Sequence, residues 1–189
     1  MIVEIDEDSL AAFGKWPWPR TRHAELFDQL ANANPAAIGF DILLSEAGDP
    51  DDDAQLALSM AGNSNLFLPL HFVFPGSNGA EYDVKQPIEP FSAAATGLGQ
   101  VNLVFDTDGV VRRAALCFGD KASGNEWPHL IEGIYRSVHG QPSPAYDRLK
   151  DCDKKLLMPF ARRGGYQSVS YAALVNGEVP GAFLKGKVI

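Results

Sequence analysis

Long hydrophobic runs are the first thing this sequence lacks. A helix that crosses a bilayer needs roughly 18 to 20 consecutive apolar residues, and the longest candidate among the 189 residues, 65–75, is short and carries His71. No membrane-spanning helix is expected within the segment. Positive charge is scarce as well: 16 Lys and Arg stand against 24 Asp and Glu, for a net charge of -8 and a pI near 4.9. Surfaces that track phosphates gather Lys and Arg, so nucleic acid is not an expected partner. Only two cysteines occur, Cys117 in an apolar strand-like run and Cys152 in a charged loop. Two free thiols are the simpler reading and a disulfide the other, and neither fixes the redox compartment. Cofactor and metal signatures are missing too. No Gly-x-Gly-x-x-Gly follows the first strand, and there is no Walker lysine and no Gly-x-Ser-x-Gly elbow. His23, His71, His129 and His139 show no metal-ligand spacing. Neither a cofactor nor a metal is expected.

What the chain does have is enough apolar sequence, 46% against 21% charged, to build one core and one domain. Its most distinctive stretch is Trp16-Pro17-Trp18-Pro19-Arg20. The prolines fix φ and remove backbone donors, so this loop cannot dissolve into a helix or a central strand. Its two indoles must be placed in a core, a pocket or an interface. Ahead of the loop, Ile2–Ile5 reads as a short strand, followed by a helix that Asp8 or Ser9 caps and Gly14 ends. After it, Thr21 caps a helix with His23, Leu26, Phe27 and Leu30 on one face, and 36–40 is a second apolar strand ending in Asp41. A strand, helix, strand order is a right-handed parallel crossover, which puts Asp6 and Asp41 at one carboxyl edge of a sheet, where ligands of α/β sheets collect. A helix over 51–61 and a strand over 65–74 follow. The runs 99–105 and 110–118, separated by Asp106-Thr107-Asp108-Gly109, predict an antiparallel hairpin. Residues 127–138 read as a helix, 155–160 as a strand, 170–175 as a short helix capped by Ser170, and Lys187 onward as a last strand. The fold class is therefore α/β: a single three-layer domain with a mixed, mostly parallel sheet, an antiparallel hairpin, and helices on both faces. Met1 running straight into a strand, and a finish inside another, suggest a segment cut from a longer protein.

The acidic groupings have ordinary explanations beside the chemical ones. Asp6 and Asp8 are spaced like the nucleophile and acid of haloacid-dehalogenase-like phosphatases, but the acidic run 49–53 comes too early to be that family's magnesium motif. A strand-end Asp and a helix cap suffice. Asp49, Asp51 and Asp53 alternate like half a calcium loop, yet Ala54 and Met60 stand where a glycine and a bidentate acid are required. An acidic helix N-terminus, favoured by the dipole, accounts for them. On the hairpin, Arg112 and Arg113 point to opposite faces. Either they pin the register as ion pairs, or one of them floors a pocket beside Asn102, Asp6 or Asp41.

Taken together, Ile2-Val3-Glu4-Ile5-Asp6 with Ser9-Leu10, the WPWPR loop, His23-Ala24 and Ala37-Ile38-Gly39-Phe40-Asp41 resemble the opening of the CHASE type 2 domain. The likeness continues through Asp53 and Leu56, Gly99 to Asn102, Asp106, Asp108-Gly109 and Arg112-Arg113. It closes with Val169-Ser170-Tyr171 and the stretch 177–189. This family comprises sensory extracellular domains associated with histidine kinases and nucleotide cyclases. The resemblance implies an extracytoplasmic, periplasmic input domain of a bacterial transmembrane receptor. The receptor's membrane helices would flank the segment, its output would be a histidine kinase, a nucleotide or diguanylate cyclase or a serine/threonine kinase, and it would work as a homodimer. It implies no catalytic residues. The expected ligand site, for a small molecule or a protein signal, gathers Asp6, Trp16, Trp18, Arg20, Asp41, Asn102 and Arg112. Two other readings stand beside it: an aspartate-based hydrolase using Asp6 and Asp41, and a dimerisation module with no ligand.

Overall fold

The computed structural model describes residues 1–120, 125–149, 151–152, 154–162 and 164–189. In chain order the elements begin with β1 (Ile2–Glu4), α1 (Glu7–Phe13), α2 (Arg20–Ala33), β2 (Ile38–Gly39), α3 (Pro50–Ala61), β3 (Leu66–Val73), β4 (Asp83–Lys85), α4 (Glu89–Ala94) and β5 (Gly97–Gln100). Then come β6 (Val104–Phe105), β7 (Val111–Ala115), β8 (Cys117–Asp120), β9 (Asn125–Pro128), α5 (Leu130–His139), α6 (Pro144–Asp147), β10 (Lys155–Leu157), β11 (Ser168–Ser170), α7 (Tyr171–Val175) and α8 (Gly181–Leu184).

The central strand is β3. It pairs in parallel with β2 on one side and β5 on the other, and antiparallel with β4 near its end. Side chains alternate across a strand. Leu66 and Leu68 therefore enter the main core with α2, α3 and α7, while Phe67 meets Ala37, Leu130 and Ile134 under α5. That alternation gives the three layers: one group of helices, the sheet, and α5 on the far face. α2 presents Ala24, Leu26, Phe27, Leu30 and Ala33 to the core. α5 can lie close to the sheet because Gly99 has no Cβ, which would sit 2.4 Å from the Leu130 Cα.

β1 and β2 are not neighbours, which corrects the simple crossover expected from the sequence. β1 pairs with β11, and the last residues of the chain lie between it and β2. Val188 bridges to Ala37, while the Met1 amino group donates to the Val188 carbonyl at 2.7 Å. The hairpin is present as β6 and β7 around Asp106–Gly109, with β10 added antiparallel to β7. The run expected as one strand over 99–105 is divided: its first part continues β5 beside β3, and only Val104 and Phe105 join the hairpin.

Three further expectations are corrected. Trp127 belongs to β9, antiparallel to β8, and the helix begins only at Leu130, with His129 accepting from the Ile131 N–H as its cap. α1 is capped by Asp6 rather than by Asp8 or Ser9. α2 begins at Arg20, so Thr21 lies inside its first turn. The two cysteines, read as free thiols in the simpler view, form a disulfide that ties β8 to the segment after α6, with Tyr146 and Leu149 packed around it.

Candidate functional site

The Trp-Pro loop delivers its residues to two different environments. Trp18 is buried, with its ring 5.3 Å from Phe13 and 5.0 Å from Tyr171, and its indole N–H donates to the Gly14 carbonyl at 2.9 Å. It is part of the core. Trp16 is half-buried and stands edge-on to Trp18 at 5.3 Å and to His23 at 5.7 Å. Between this loop and the segment leaving β2 lies a cavity of about 390 Å³, walled by Trp16, Pro17 and Trp18 on one side and by Asp41, Ile42 and Leu43 on the other. Arg20 and His23, from the first turns of α2, complete it.

Arg20 owes its place to Asp53, which is 6% exposed. Its Nε donates to Asp53 Oδ1 at 3.2 Å and its Nη2 to the Glu46 carbonyl at 2.9 Å, while Asp53 Oδ2 accepts from the Gly48 N–H at 2.7 Å. This set fastens the loop after β2 across the start of α2. His23 is held neutral. Burial, reinforced by the nearby Arg20 charge, pulls its pKa down to about 4. The His23 Nδ1 shares a hydrogen bond of 2.8 Å with the Tyr171 hydroxyl, which also reaches the Arg22 carbonyl at 3.3 Å. The cavity thus combines an indole wall, a cation already bound to its partners, a neutral imidazole, and the exposed carboxylate of Asp41. Among the described residues, Asp41 forms no salt bridge.

The structure brings Trp16, Trp18, Arg20 and Asp41 together here and leaves three of the expected residues elsewhere. Asp6 accepts from the Ser9 N–H, the Ser9 hydroxyl and the Ser170 hydroxyl, capping α1 and joining the end of β1 to the start of α7. These hydrogen bonds, that of the Ser9 hydroxyl foremost, hold its carboxyl below the usual range. Asn102 acts as a missing strand rung where β5 leaves β3, accepting from the Phe72 N–H at 2.9 Å and donating to the Phe72 carbonyl at 2.7 Å. Arg112 pairs with Asp106 and Asp108, and Arg113 with Asp106, all on the exposed hairpin. They pin the register. His23 and Asp53 are the members the sequence reading passed over. The signal for His23 was a titratable ring on the same helical stripe as Leu26, Phe27 and Leu30.

Among the described residues, one group of three ligating side chains comes together outside this cavity: Cys117, Glu126 and Cys152. Its two sulfurs are joined to each other, so it is no metal centre as it stands.

The CHASE2 domain family matches residues 1–189, the entire chain. The chain belongs to that family. No curated protein and no solved structure matches it. CHASE2 domains are extracellular sensory domains of receptors, not catalytic units. The hydrolase reading loses its footing on the geometry as well, since Asp6 Oδ1 is occupied by three donors and does not line the cavity that Asp41 lines.

Proposed function

We propose that this CHASE2 domain is the periplasmic input module of a bacterial transmembrane receptor, with a kinase or cyclase as output, and that it senses a small cationic molecule in the cavity between Trp16 and Asp41. The observation that carries this reading is the pairing of an indole face with a carboxylate that has no salt-bridge partner among the described residues, in one opening of about 390 Å³. An ammonium group between them gains a cation–π contact and an ion pair at once. The neutral His23 adds a polar ring without adding a second positive charge. The disulfide suits an oxidising compartment. Exposed apolar side chains on and near the hairpin sheet, Phe105, Leu157 and Phe160, support pairing of two copies.

Signalling requires only that the ligand prefer one of two domain states. The test is a thermal-shift and calorimetric screen of primary, quaternary and guanidinium amines against the domain and its Trp16→Ala and Asp41→Asn variants. A compound that stabilises the parent, and neither variant, supports the site. If amines bind equally well to both variants, or if only anions bind, the reading is wrong. Sedimentation of the domain and of the intact receptor tests the dimer.

A further inference from the structure

α2 leads into β2 and α3 into β3, and these two strands are parallel neighbours. The C-terminal ends of the two helices therefore arrive at the same edge of the sheet. They meet there: a Cβ built on Gly62, just past α3, would stand 3.8 Å from the Ala31 Cβ in the last turn of α2. The carbonyls of a helix's last turn have no intrahelical donors, and the aligned peptide dipoles give that end a partial negative charge. A Lys, Arg or His in the last turn commonly offsets it. Neither α2 nor α3 has a basic residue there.

Between the two ends lies a cavity of about 30 Å³, lined by Ala31, Asn34 and Pro35 from the end of α2 and by Gly62 and Asn63 from the end of α3. That is room for one small ion or one or two waters. Asn63 is 6% exposed. Its Nδ2 donates to the Phe27 carbonyl at 3.1 Å and to the Ser59 carbonyl at 3.0 Å. This fixes the orientation of the amide, because turned over it would set its oxygen against two others. What Asn63 brings to the cavity is thus Oδ1, which has no hydrogen-bond partner among the described residues. Buried polar atoms are nearly always satisfied. A second acceptor comes from Ala31, whose carbonyl would take the N–H of residue 35 if the helix continued. Pro35 has none to give.

Two acceptors in the negative field of two helix ends select a cation over an anion. Divalent ions draw carboxylates, and the residues lining the cavity carry none. Neutral oxygens suit a singly charged ion, and a net charge of -8 concentrates such ions around the protein. We propose that this cavity is a binding site for a monovalent metal cation, sodium or potassium, held by Asn63 Oδ1 and the Ala31 carbonyl, and that the ion clamps the ends of α2 and α3 together. Arg20 and His23 lie at the other end of α2, about 20 Å away by helix rise, so this site is separate from the cavity walled by Trp16 and Asp41.

The test compares thermal melts in NaCl, KCl and choline chloride at equal ionic strength, choline being too large for the cavity. Sodium or potassium should raise the melting temperature saturably, by about 3 to 5 °C at ten times the half-saturating concentration, and the larger shift names the ion. Asn63→Ala should abolish the increment over choline. Since that variant also loses both Nδ2 hydrogen bonds and need not fold, a second measurement uses the parent alone. Its sodium-23 resonance should broaden on adding the protein and sharpen again with KCl but not with choline chloride. Equal melting temperatures in the three salts overturn the proposal, as they would if the cavity took only water. Broadening that choline relieves equally well also overturns it, as does a folded Asn63→Ala that keeps the full increment.

Discussion

The two tryptophans that flank Pro17 do different work in this domain. Trp18, locked among Phe13, Trp16 and Tyr171 with its N–H bonded to Gly14, is a core residue. Trp18→Ala should cost about 3 to 5 kcal/mol, the usual range for emptying an aromatic site, measured as a shift in the urea midpoint. Trp16→Ala removes a half-buried wall and should cost far less stability while abolishing ligand-induced stabilisation. Equal destabilisation by the two variants would show that the loop is wholly structural. His23 adds a pH dependence of defined sign. Its pKa is near 6.5 when unfolded and about 4 when folded, so the folded state binds fewer protons between those values. Stability is therefore untouched by this group above about pH 6.5 and falls as pH drops toward 4, by about 3 kcal/mol at the limit. Burial lowers the His129 pKa in the same direction. Urea melts at pH 7 and pH 5, repeated with His23→Gln, check this: the variant should lose most of the slope. A parent that is equally stable at both pH values would exclude it.

At the scale of elements, helices and strands with clear periodicity were legible: α2 and α3 from their apolar stripes, β3 from its length, the hairpin from Asp106-Thr107-Asp108-Gly109. Long-range pairing was not. No local signal says that Val188 will bridge to Ala37 and come between β1 and β2, because a parallel strand takes its partner from far along the chain. Trp127 was misread because the apolar period of 130–138 runs smoothly back through it. The missed cue was Pro128, which pushes the preceding residue toward extended backbone. In the site, Trp16, Trp18, Arg20 and Asp41 could be read from an unusual loop and a strand end, whereas the Arg20–Asp53 pair joins two distant segments by side chains alone. Two element-level outcomes follow. Gly99→Ala should separate α5 from β5 and destabilise the domain, since the new Cβ would collide with Leu130 backbone rather than with a side chain that can move. Reducing the disulfide, which links residues 35 apart, should lower stability by about 4 kcal/mol through the freed unfolded chain. Denaturation with and without reductant measures it, and a Cys117→Ser, Cys152→Ser double variant should match the reduced parent.

For the whole molecule, the main core and the α5 face meet at the sheet centred on β3, and residues 187–189 lie between β2 and β1. The beginning of the chain lies beside them, with Met1 bonded directly to Val188. β1 and residues 187–189 are therefore side-by-side rails, joined by that one bond, and a shift in their register is quantised. A slip of one residue would turn every side chain of the moving strand to the wrong face, so the smallest slip that keeps both cores intact is two residues, about 6.6 Å at parallel-strand rise. A pull along these rails would register as a click from one notch to the next rather than as a gradual stretch.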